Sequence, residues 1–446
     1  MKLPRRSVAA GLACVAIGAV AGCGGQGAGT QGGDGKTITL VSWGTNQQIT
    51  LFQKSLDRFT KKSGIKVHVV KSPGTDYAQK INSQILSKSL PDIFWCQNSM
   101  EQDLGRQGKL YDWSKYVDGS AKGAKETGLD VSKFSPGAID TYRTPDGKVY
   151  GIPNEANTYG VFYNADLFKQ AGVALPTGNW TWNDLFADAK ALTVRNGKKV
   201  TPGMQQVWSL LNSPTGMSFY SVSNGGAPLT DNKSLVGVTK LQAGPQFVAG
   251  TERLAAAIKN GSVTGPNFAG TNTEGEFING KVPMVFGGQW ISSDFFAAKT
   301  KVNWGYAPLP RGTAGQVAPA EANGFCSPSY VKNPSATWKV ISWMDTNGFN
   351  DAYKEDPIAP IAYIPGSQGY FDALEPQGAP GRSVEKTVRA ELANPNKLGT
   401  TFLDPWSGKS GNLTTSIWNP ALQNNKDVAP SIEKWISKTN AVIGQK

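Results

Sequence analysis

Three stretches near the amino terminus decide the fold class: KTITLVSW at residues 36–43, IKVHVV at 65–70 and DIFWC at 92–96. Each is a short run of β-branched, aromatic and other apolar residues, which is typical of a β-strand. Residues 47–64 and 77–88 carry apolar side chains at helical spacing, and a glycine closes the first of these runs. Strands and helices that alternate in this way predict an α/β fold with a parallel sheet.

The loops that follow the first and third strands are candidates for a ligand site. In parallel α/β sheets a ligand binds beyond the carboxyl ends of the strands. Trp43 and Asn46 follow the first strand, and Asn98 follows the third. Trp95 lies within the third strand, where packing is the expected role. We therefore predict that Trp43, Asn46 and Asn98 contact a ligand.

The length of the chain, 446 residues, predicts two lobes, because single domains usually contain about 50 to 250 residues. A second α/β region follows residues 149–153 and includes a helix capped by Thr181 and a strand at 282–286. Residues 304–310 are extended and rich in proline, which predicts a segment that crosses between lobes. The helix predicted at 335–346 is expected to pack with the first lobe.

Residues 1–22 are predicted to be an export signal. Two arginines precede an apolar run at residues 8–20, which is too short for a membrane span of about 20 residues. The tetrapeptide VAGC, which ends at Cys23, resembles the bacterial lipoprotein signal in which the cysteine receives the lipid. Residues 23–35 are rich in glycine and are predicted to be the anchor and a flexible tether. The alternative is an ordinary secretory signal in which Cys23 is incidental.

The formal net charge of +12 does not by itself indicate a nucleic-acid partner, because the charge is diffuse. The longest basic runs are the pairs Lys61-Lys62 and Lys198-Lys199, and aromatic residues do not interleave with them. The single histidine, His68, lies at a predicted solvent-facing position of a strand. A metal site of histidines and cysteines is therefore not expected, and no cofactor is predicted.

Two cysteines remain after the signal and the lipid attachment site are set aside, Cys96 and Cys326. In an oxidising compartment they can form a disulfide. They can equally be two buried small hydrophobic residues. The sequence leaves both alternatives open.

Five segments of the chain, in this order, resemble the extracellular solute-binding proteins of sugar ABC importers, the family of maltose-binding protein. They are ITLVSW at 38–43, LPDIFW at 90–95, YGIP at 150–153 with FYN at 162–164 and DLF at 166–168, residues 277–290 from Phe277 through Gly280-Lys281 to Gly288-Gln289-Trp290, and PLP at 308–310 before Asn323-Gly324.

The resemblance implies a two-lobed α/β clamshell of the type II periplasmic-binding kind, in which each lobe is discontinuous. The first lobe would comprise residues 36–153 and 311–364, and the second residues 154–310 and 365–446. The implied function is capture of a sugar outside the cell membrane and its delivery to the transmembrane subunits of an ABC permease. The implied protein is a lipid-anchored monomer and not an enzyme.

The resemblance also implies ligand-binding residues. Trp290 stands where members of the family stack an aromatic ring on a sugar, and the alternative is that Trp290 is a core residue. Asn98 and Asn157 match positions that bind sugar hydroxyls. Maltose-binding protein has carboxylates there, so the amides are a departure, although an amide both donates and accepts hydrogen bonds. By their loop positions, Asn323 and Trp406 are further candidates.

Two other functions compete with sugar capture. A secreted glycoside-acting enzyme would need two carboxylates that face each other across the cleft, whereas the candidate loops supply amides. Glu155 and Asp294 are acidic and nearby, but Glu155 can as easily bind a hydroxyl or a hinge amide. A binding protein for a glycerol phosphodiester would need clustered arginines or a glycine-rich helix start, and neither is evident.

Overall fold

The computed structural model describes residues 37–72, 77–207, 210–231, 233, 235–268 and 272–444. The predicted signal at 1–22, the lipid attachment at Cys23 and the tether at 23–35 lie outside these residues. Within them, no helix is long and apolar enough to cross a membrane.

The first sheet has five strands in the spatial order β2-β1-β3-β12-β4. The strands are β1 (Thr37–Ser42), β2 (Lys66–Lys71), β3 (Ile93–Gln97), β4 (Gly151–Ala156) and β12 (Ala322–Cys326). β1 is parallel to both β2 and β3, which confirms the predicted parallel arrangement of the first three strands. β12 enters from far along the chain and is antiparallel to β3 and β4.

The first helix, α1 (Asn46–Ser63), forms where the apolar spacing predicted it, and local signals set both of its ends. Thr45 and Gln48 form a reciprocal capping box that satisfies backbone N–H groups at the first turn. Gly64 ends the helix with φ of 76°, a left-handed conformation that glycine adopts without steric conflict. Leu51, Phe52, Leu56 and Phe59 form the buried face. The predicted end at Gly64 is confirmed.

The second sheet has four strands in the order β10-β5-β9-β8. They are β5 (Tyr159–Asn164), β8 (Met204–Gln206), β9 (Met284–Gly288) and β10 (Trp304–Pro308). β5 is antiparallel to β9 and β10, and β8 is parallel to β9. The extended segment predicted at 304–310 is therefore a strand of this sheet for most of its length, because its backbone pairs with β5.

Two small sheets complete the strand pairing. β6 (Val194–Asn196) and β7 (Lys199–Thr201) form an exposed hairpin, and β11 (Ala318–Ala320) is parallel to β13 (Lys397–Gly399). The remaining α-helices, in chain order, are α2 (Tyr77–Leu86), α3 (Asn98–Arg106), α4 (Ser114–Val117), α5 (Ala165–Ala171), α6 (Trp182–Ala191), α7 (Gly216–Ser223), α8 (Pro245–Lys259), α9 (Thr273–Ile278), α10 (Ile291–Ala297), α11 (Pro334–Trp343), α12 (Phe349–Tyr353), α13 (Gln368–Leu374), α14 (Gly378–Ala393), α15 (Trp406–Leu413), α16 (Asn419–Asn424) and α17 (Val428–Ile443).

Two hydrophobic clusters fill the molecule, and the second sheet separates them. Val161 and Phe162 are successive residues of β5 and belong to different clusters, because alternate side chains of a strand point to opposite faces. The first cluster also includes the buried side chains of the first sheet. Beside that sheet, α11 packs against α1 and β1. The helix predicted at 335–346 is present as α11 and packs against elements of the first sheet region, while its membership of the first lobe stays a prediction. The boundaries of the lobes in the sequence remain a prediction.

A disulfide joins Cys96 on β3 to Cys326 on β12. Both sulfurs are fully buried, and the two cysteines lie on neighbouring antiparallel strands. Of the two alternatives that the sequence left open, the structure has the bridged one. The bond links residues that are 230 positions apart, at the point where the returning strand enters the first sheet.

Candidate functional site

The ends of four strands meet at one edge of the first sheet. Val41 lies opposite Phe94, so that Trp43, two residues further on, lies near the end of β3. Gln97 at the end of β3 lies opposite Asn323, and Asn323 lies opposite Glu155 on β4. The loops predicted to bind a ligand are thus neighbours, as expected for strand ends at one sheet edge.

An aromatic group lies at the end of the first strand. Trp43 is 45% exposed, which is unusual for tryptophan, and its ring centroid is 5.7 Å from that of Trp95. Trp95 is buried, as its strand position indicated, and packs edge-on against Tyr77. Asn46 lies on the same side but its side-chain oxygen accepts a hydrogen bond from Lys71 Nζ at 2.9 Å. The exposed indole of Trp43 is the part of this group that can meet a ligand.

Two amide–carboxylate pairs lie where β4 ends and β12 begins. Asn157 Nδ2 donates to Glu321 Oε1 at 3.0 Å, and Asn323 Nδ2 donates to Glu155 Oε2 at 3.2 Å. Because Asn323 pairs with Glu155 in the ladder and Asn157 N donates to the Glu321 carbonyl, the four side chains lie on one face of the ribbon. Here and below we call Glu155, Asn157, Glu321 and Asn323 the hinge quartet.

Each carboxylate of the hinge quartet is held by further hydroxyl groups. Glu321 accepts hydrogen bonds from the Tyr159 hydroxyl, at 3.1 Å to each oxygen, and from the hydroxyl of Thr400. Glu155 accepts a hydrogen bond from the Tyr353 hydroxyl. Burial raises the pKa of Glu155, and the hydrogen bonds from Tyr353 and Asn323 oppose that shift. These bonds fix the quartet in place.

Trp290 packs beside the hinge quartet, against Tyr159, whose hydroxyl donates to Glu321. It is half-buried, and its ring meets the Tyr159 ring edge-on with a centroid distance of 5.4 Å. Its indole lies directly over Gly288, where a Cβ atom would come within 1.9 Å of the ring. Gly288 is therefore required for this placement of the indole. Partial exposure beside Tyr159 is consistent with a stacking surface and also with the edge of a core.

A pocket of about 300 Å³ lies in the second lobe beside the quartet. It includes Thr400, the residue that donates to Glu321, together with Phe402 and Trp435. The other lining residues are Ser213, Pro214, Thr215, Thr401, Ser407, Gly408, Ser410 and Thr414, and the exposed lining is mainly apolar. Its volume is at the lower end of the range for small-molecule sites, roughly 300 to 1,000 Å³.

Trp406 differs from its predicted loop setting. It is the first residue of α15, is only 9% exposed, and packs against Phe402 with a centroid distance of 4.8 Å. The expectation of a loop at 404–408 was wrong at this residue, because α15 begins at Trp406 and continues through Gly408. At Asn98, the first residue of α3, the structure describes the backbone and not the side chain.

The site also contains residues that the sequence did not identify, above all Glu321, Tyr159 and Thr400. Glu321 stands between two alanines in a stretch without a motif. The one available signal was its spacing of two from Asn323, which places both side chains on one face of an extended strand. Among the described residues, no group of three or more histidine, cysteine, aspartate or glutamate side chains is placed to hold a metal ion.

Amides, hydroxyls and partly exposed aromatic rings together suit a polyhydroxyl compound that has an apolar face. A comparison of the sequence with known families points to a protein that binds such solutes. The model of the family described as bacterial extracellular solute-binding protein matches residues 43–350. The chain belongs to this family. The family is one of binding proteins, and its members act outside the cytoplasm.

The relatives of this solute-binding protein bind several kinds of solute. A maltodextrin-binding protein of Bacillus subtilis is 24% identical over 72% of this chain and 72% of its own length. An sn-glycerol-3-phosphate-binding periplasmic protein of Rhizobium meliloti is 27% identical over 41% of each chain. The match to a putative binding protein of Brucella abortus, at 25% identity, covers 48% of this chain and about half, 51%, of that relative.

The fold of this solute-binding protein is that of solved sugar-binding proteins. An ABC substrate-binding protein from Listeria monocytogenes, in complex with cycloalternan, superposes with a TM-score of 0.69 at 24% identity and covers 92% of this chain and 99% of that chain. The sugar-binding protein of Xanthomonas citri gives a TM-score of 0.70 at 17% identity, with 92% and 98% covered. The predicted two-lobed α/β clamshell is confirmed.

Proposed function

We propose that this chain is the extracytoplasmic binding lipoprotein of an ABC importer, which captures a sugar and delivers it to the membrane permease. The observation that carries the proposal is the hinge quartet beside the Trp290 and Tyr159 rings. Two amides there face two carboxylates across neighbouring strands, at distances of 3.0 and 3.2 Å. A pyranose needs this combination, because its hydroxyls donate and accept hydrogen bonds while its C–H face covers an aromatic ring.

The proposed ligand contacts follow from the same edge of the first sheet and the facing lobe. On the first sheet they are Trp43, Asn46 and Asn98, and at the hinge they are Asn157 and Asn323. On the second lobe they are Trp290 and Trp406, which packs against the pocket residue Phe402. The exposed indole of Trp43 and the half-buried indole of Trp290 support two aromatic surfaces for the sugar.

The anchor and the partners are part of the proposal. Lipid on Cys23 and a tether at 23–35 would hold a monomer at the outer face of the cell membrane. Closure of the lobe formed by residues 36–153 and 311–364 on that formed by 154–310 and 365–446 would present the sugar to the permease. Relatives named for lactose and maltodextrin support an importer for sugars.

The second candidate ligand is a glycerol phosphate compound, which one group of relatives favours by name. A phosphate site calls for arginines or for several backbone N–H groups at a helix start. The hinge quartet has two carboxylates instead, so a neutral sugar remains the better match.

A thermal-shift screen tests the proposal. Maltose, maltotetraose, lactose, sn-glycerol 3-phosphate and spermidine would be added to the purified mature protein, and each positive result would be checked by titration calorimetry. We expect at least one neutral sugar to raise the melting temperature and to bind with a Kd in the micromolar range or below. A rise in melting temperature with sn-glycerol 3-phosphate alone would favour the second candidate.

A further inference from the structure

We propose that Glu155 and Glu321 make the site selective for uncharged polyhydroxyl ligands over anionic ones. In this role the two carboxylates orient the amides of the hinge quartet and place negative charge at the base of the cleft. The inference rests on the proposed function, since it concerns the same site. It adds two residues to the ligand contacts named above: both carboxylates position an amide, and Glu155 also has acceptor positions left for a ligand hydroxyl.

The hydrogen bonds show how the carboxylates orient the amides. A carboxylate can only accept, so Asn157 and Asn323 must turn their Nδ2 groups toward Glu321 and Glu155. Each amide then keeps its Oδ1 acceptor and one N–H donor for another partner. A ligand hydroxyl can use both groups, because it accepts from the N–H and donates to the oxygen.

The two carboxylates differ in how many hydrogen-bond donors of the protein they accept from. Glu321 accepts hydrogen bonds from three donors: Asn157, Thr400 and the single Tyr159 hydroxyl, which lies 3.1 Å from both carboxylate oxygens. Glu155 accepts one at each oxygen, from Tyr353 and Asn323. Because two carboxylate oxygens can accept about four bonds in all, Glu155 has positions left for the hydroxyl hydrogens of a ligand.

Among the described residues, no lysine or arginine forms an ion pair with Glu155 or Glu321. The side-chain donors that hydrogen-bond to these carboxylates in the described part of the chain are neutral amides and hydroxyls. A phosphate or carboxylate ligand at the amides would therefore meet like charges at short range, whereas a neutral sugar would not.

The test compares open-chain sugar derivatives that differ at C1, where one has a neutral hydroxymethyl group and the other a carboxylate. Maltitol and lactitol would be titrated calorimetrically against maltobionate and lactobionate, with maltose, lactose and sn-glycerol 3-phosphate titrated in parallel. The variants are Glu155→Gln, Glu321→Gln and the double variant, with Glu433→Gln on the exposed face of α17 as a control that makes the same charge change. Melting curves accompany every titration.

We expect the wild type to bind the neutral sugar at least about tenfold more tightly than its anionic partner, and the double variant to narrow that ratio by roughly tenfold. Glu433→Gln should leave the ratio unchanged. Glu321→Asp, which keeps the charge and shortens the side chain, should weaken both partners while preserving most of the ratio. If Glu321→Gln does not fold, Glu155→Gln alone tests the inference. Glu155 accepts fewer hydrogen bonds from the protein than Glu321, so this variant should fold. It should still narrow the ratio of neutral to anionic affinity.

Three outcomes would overturn the inference, and they separate it from the proposed function. An unchanged ratio in variants that fold and bind the neutral sugar rejects charge selection and leaves sugar capture intact. Equal affinity of the wild type for the neutral and anionic partners would also reject charge selection and leave sugar capture intact. Binding of sn-glycerol 3-phosphate in preference to every neutral sugar rejects both proposals.

Discussion

Arg106 and Asp404 form an ion pair between segments predicted to belong to different lobes, with Arg106 Nη2 at 2.8 Å from Asp404 Oδ1. Arg106 ends α3, the helix that begins at Asn98, and Asp404 lies two residues before Trp406. The Asp404 side chain is only 8% exposed and also accepts hydrogen bonds from the backbone N–H groups of Gly237 and Val238. The pair therefore joins two segments that carry proposed ligand residues.

Replacing Arg106 by glutamine should favour the open form of the clamshell. The variant loses the ionic contact, while Asp404 keeps its two backbone donors, so each lobe should stay folded. A partly exposed pair contributes about 1 kcal/mol or slightly more, which predicts a three- to tenfold weaker apparent sugar affinity through faster dissociation. Small-angle scattering should show a larger radius of gyration without ligand.

The control for this prediction is Arg58→Gln. Arg58 on α1 pairs with Asp351 on α12, and these two helices pack against each other within the predicted first lobe, so their ion pair is not expected to bridge the cleft. This variant should match the wild type in scattering and in dissociation rate. The same scattering curve and the same dissociation rate for Arg106→Gln and the wild type would show that the pair does not hold the lobes together.

Trp290→Ala should weaken sugar binding by roughly thirtyfold or more, because loss of a central aromatic contact commonly costs about 2 kcal/mol. The fold should survive, since the indole is half-buried. If Trp290 is instead a core residue, the loss should appear as about 3 to 5 kcal/mol of stability. Calorimetry and a melting curve distinguish the two results. Trp343→Ala, a partly buried indole that packs on the first core, is the matched control.

Removal of the disulfide should lower stability without changing the site. In Cys96→Ala/Cys326→Ala the bond no longer closes a chain segment of 230 residues. Loss of a disulfide commonly costs about 2 to 5 kcal/mol, with long loops toward the upper end. Urea unfolding should show this loss in the midpoint, while sugar affinity changes less than threefold. A large loss of affinity in a variant that melts normally would show that the bond also positions Asn323.

Cys23→Ala should abolish membrane attachment. A lipoprotein signal depends on this cysteine, and stable anchoring needs more than one acyl chain. We expect the variant to appear in the soluble extracellular fraction or to remain unprocessed, as measured by cell fractionation and mass spectrometry. Normal processing together with normal membrane attachment of the variant would contradict the lipoprotein assignment.

The raised pKa of the Asp188 carboxyl predicts that the stability of the protein depends on pH. Burial, with the charge of Asp184 adding to it, raises the pKa of Asp188 to about 6. The unfolded chain releases this proton near pH 4, so the folded state binds more protons between about pH 4 and pH 6. Stability therefore falls as pH rises through this window. The side chain is partly exposed, which limits the effect to about 1 kcal/mol or less.

Asp188→Asn should remove that part of the pH dependence. The variant should be more stable than the wild type at pH 7, and the difference should shrink at pH 4. Melting temperatures measured between pH 4 and pH 7.5 check this prediction. The exposed Asp372→Asn serves as a control, and a difference that does not vary with pH would reject the assignment to Asp188.

Much of the first sheet and its helices could be predicted from sequence because the signals are local. The run of β1, α1, β2, α2 and β3 follows from apolar periods of two and 3.6 residues. The capping box at Thr45 and the left-handed Gly64 act on residues within one turn of the helix. Trp43 and Asn98 were identified because each follows a strand, and strand ends define the edge at which a ligand binds.

The sequence by itself determined the order of elements from β1 to β3, the end of α1 at Gly64 and the start of α6 after Thr181, because those depend on neighbours along the chain. Only the tertiary structure decided that Asn157 meets Glu321 across 164 residues and that Arg106 meets Asp404 across 298. Such pairs form when β12 inserts between β3 and β4 and the second lobe folds back on the first. No local pattern specifies them, because each contact joins residues that are far apart along the chain and meet only when the sheets have formed.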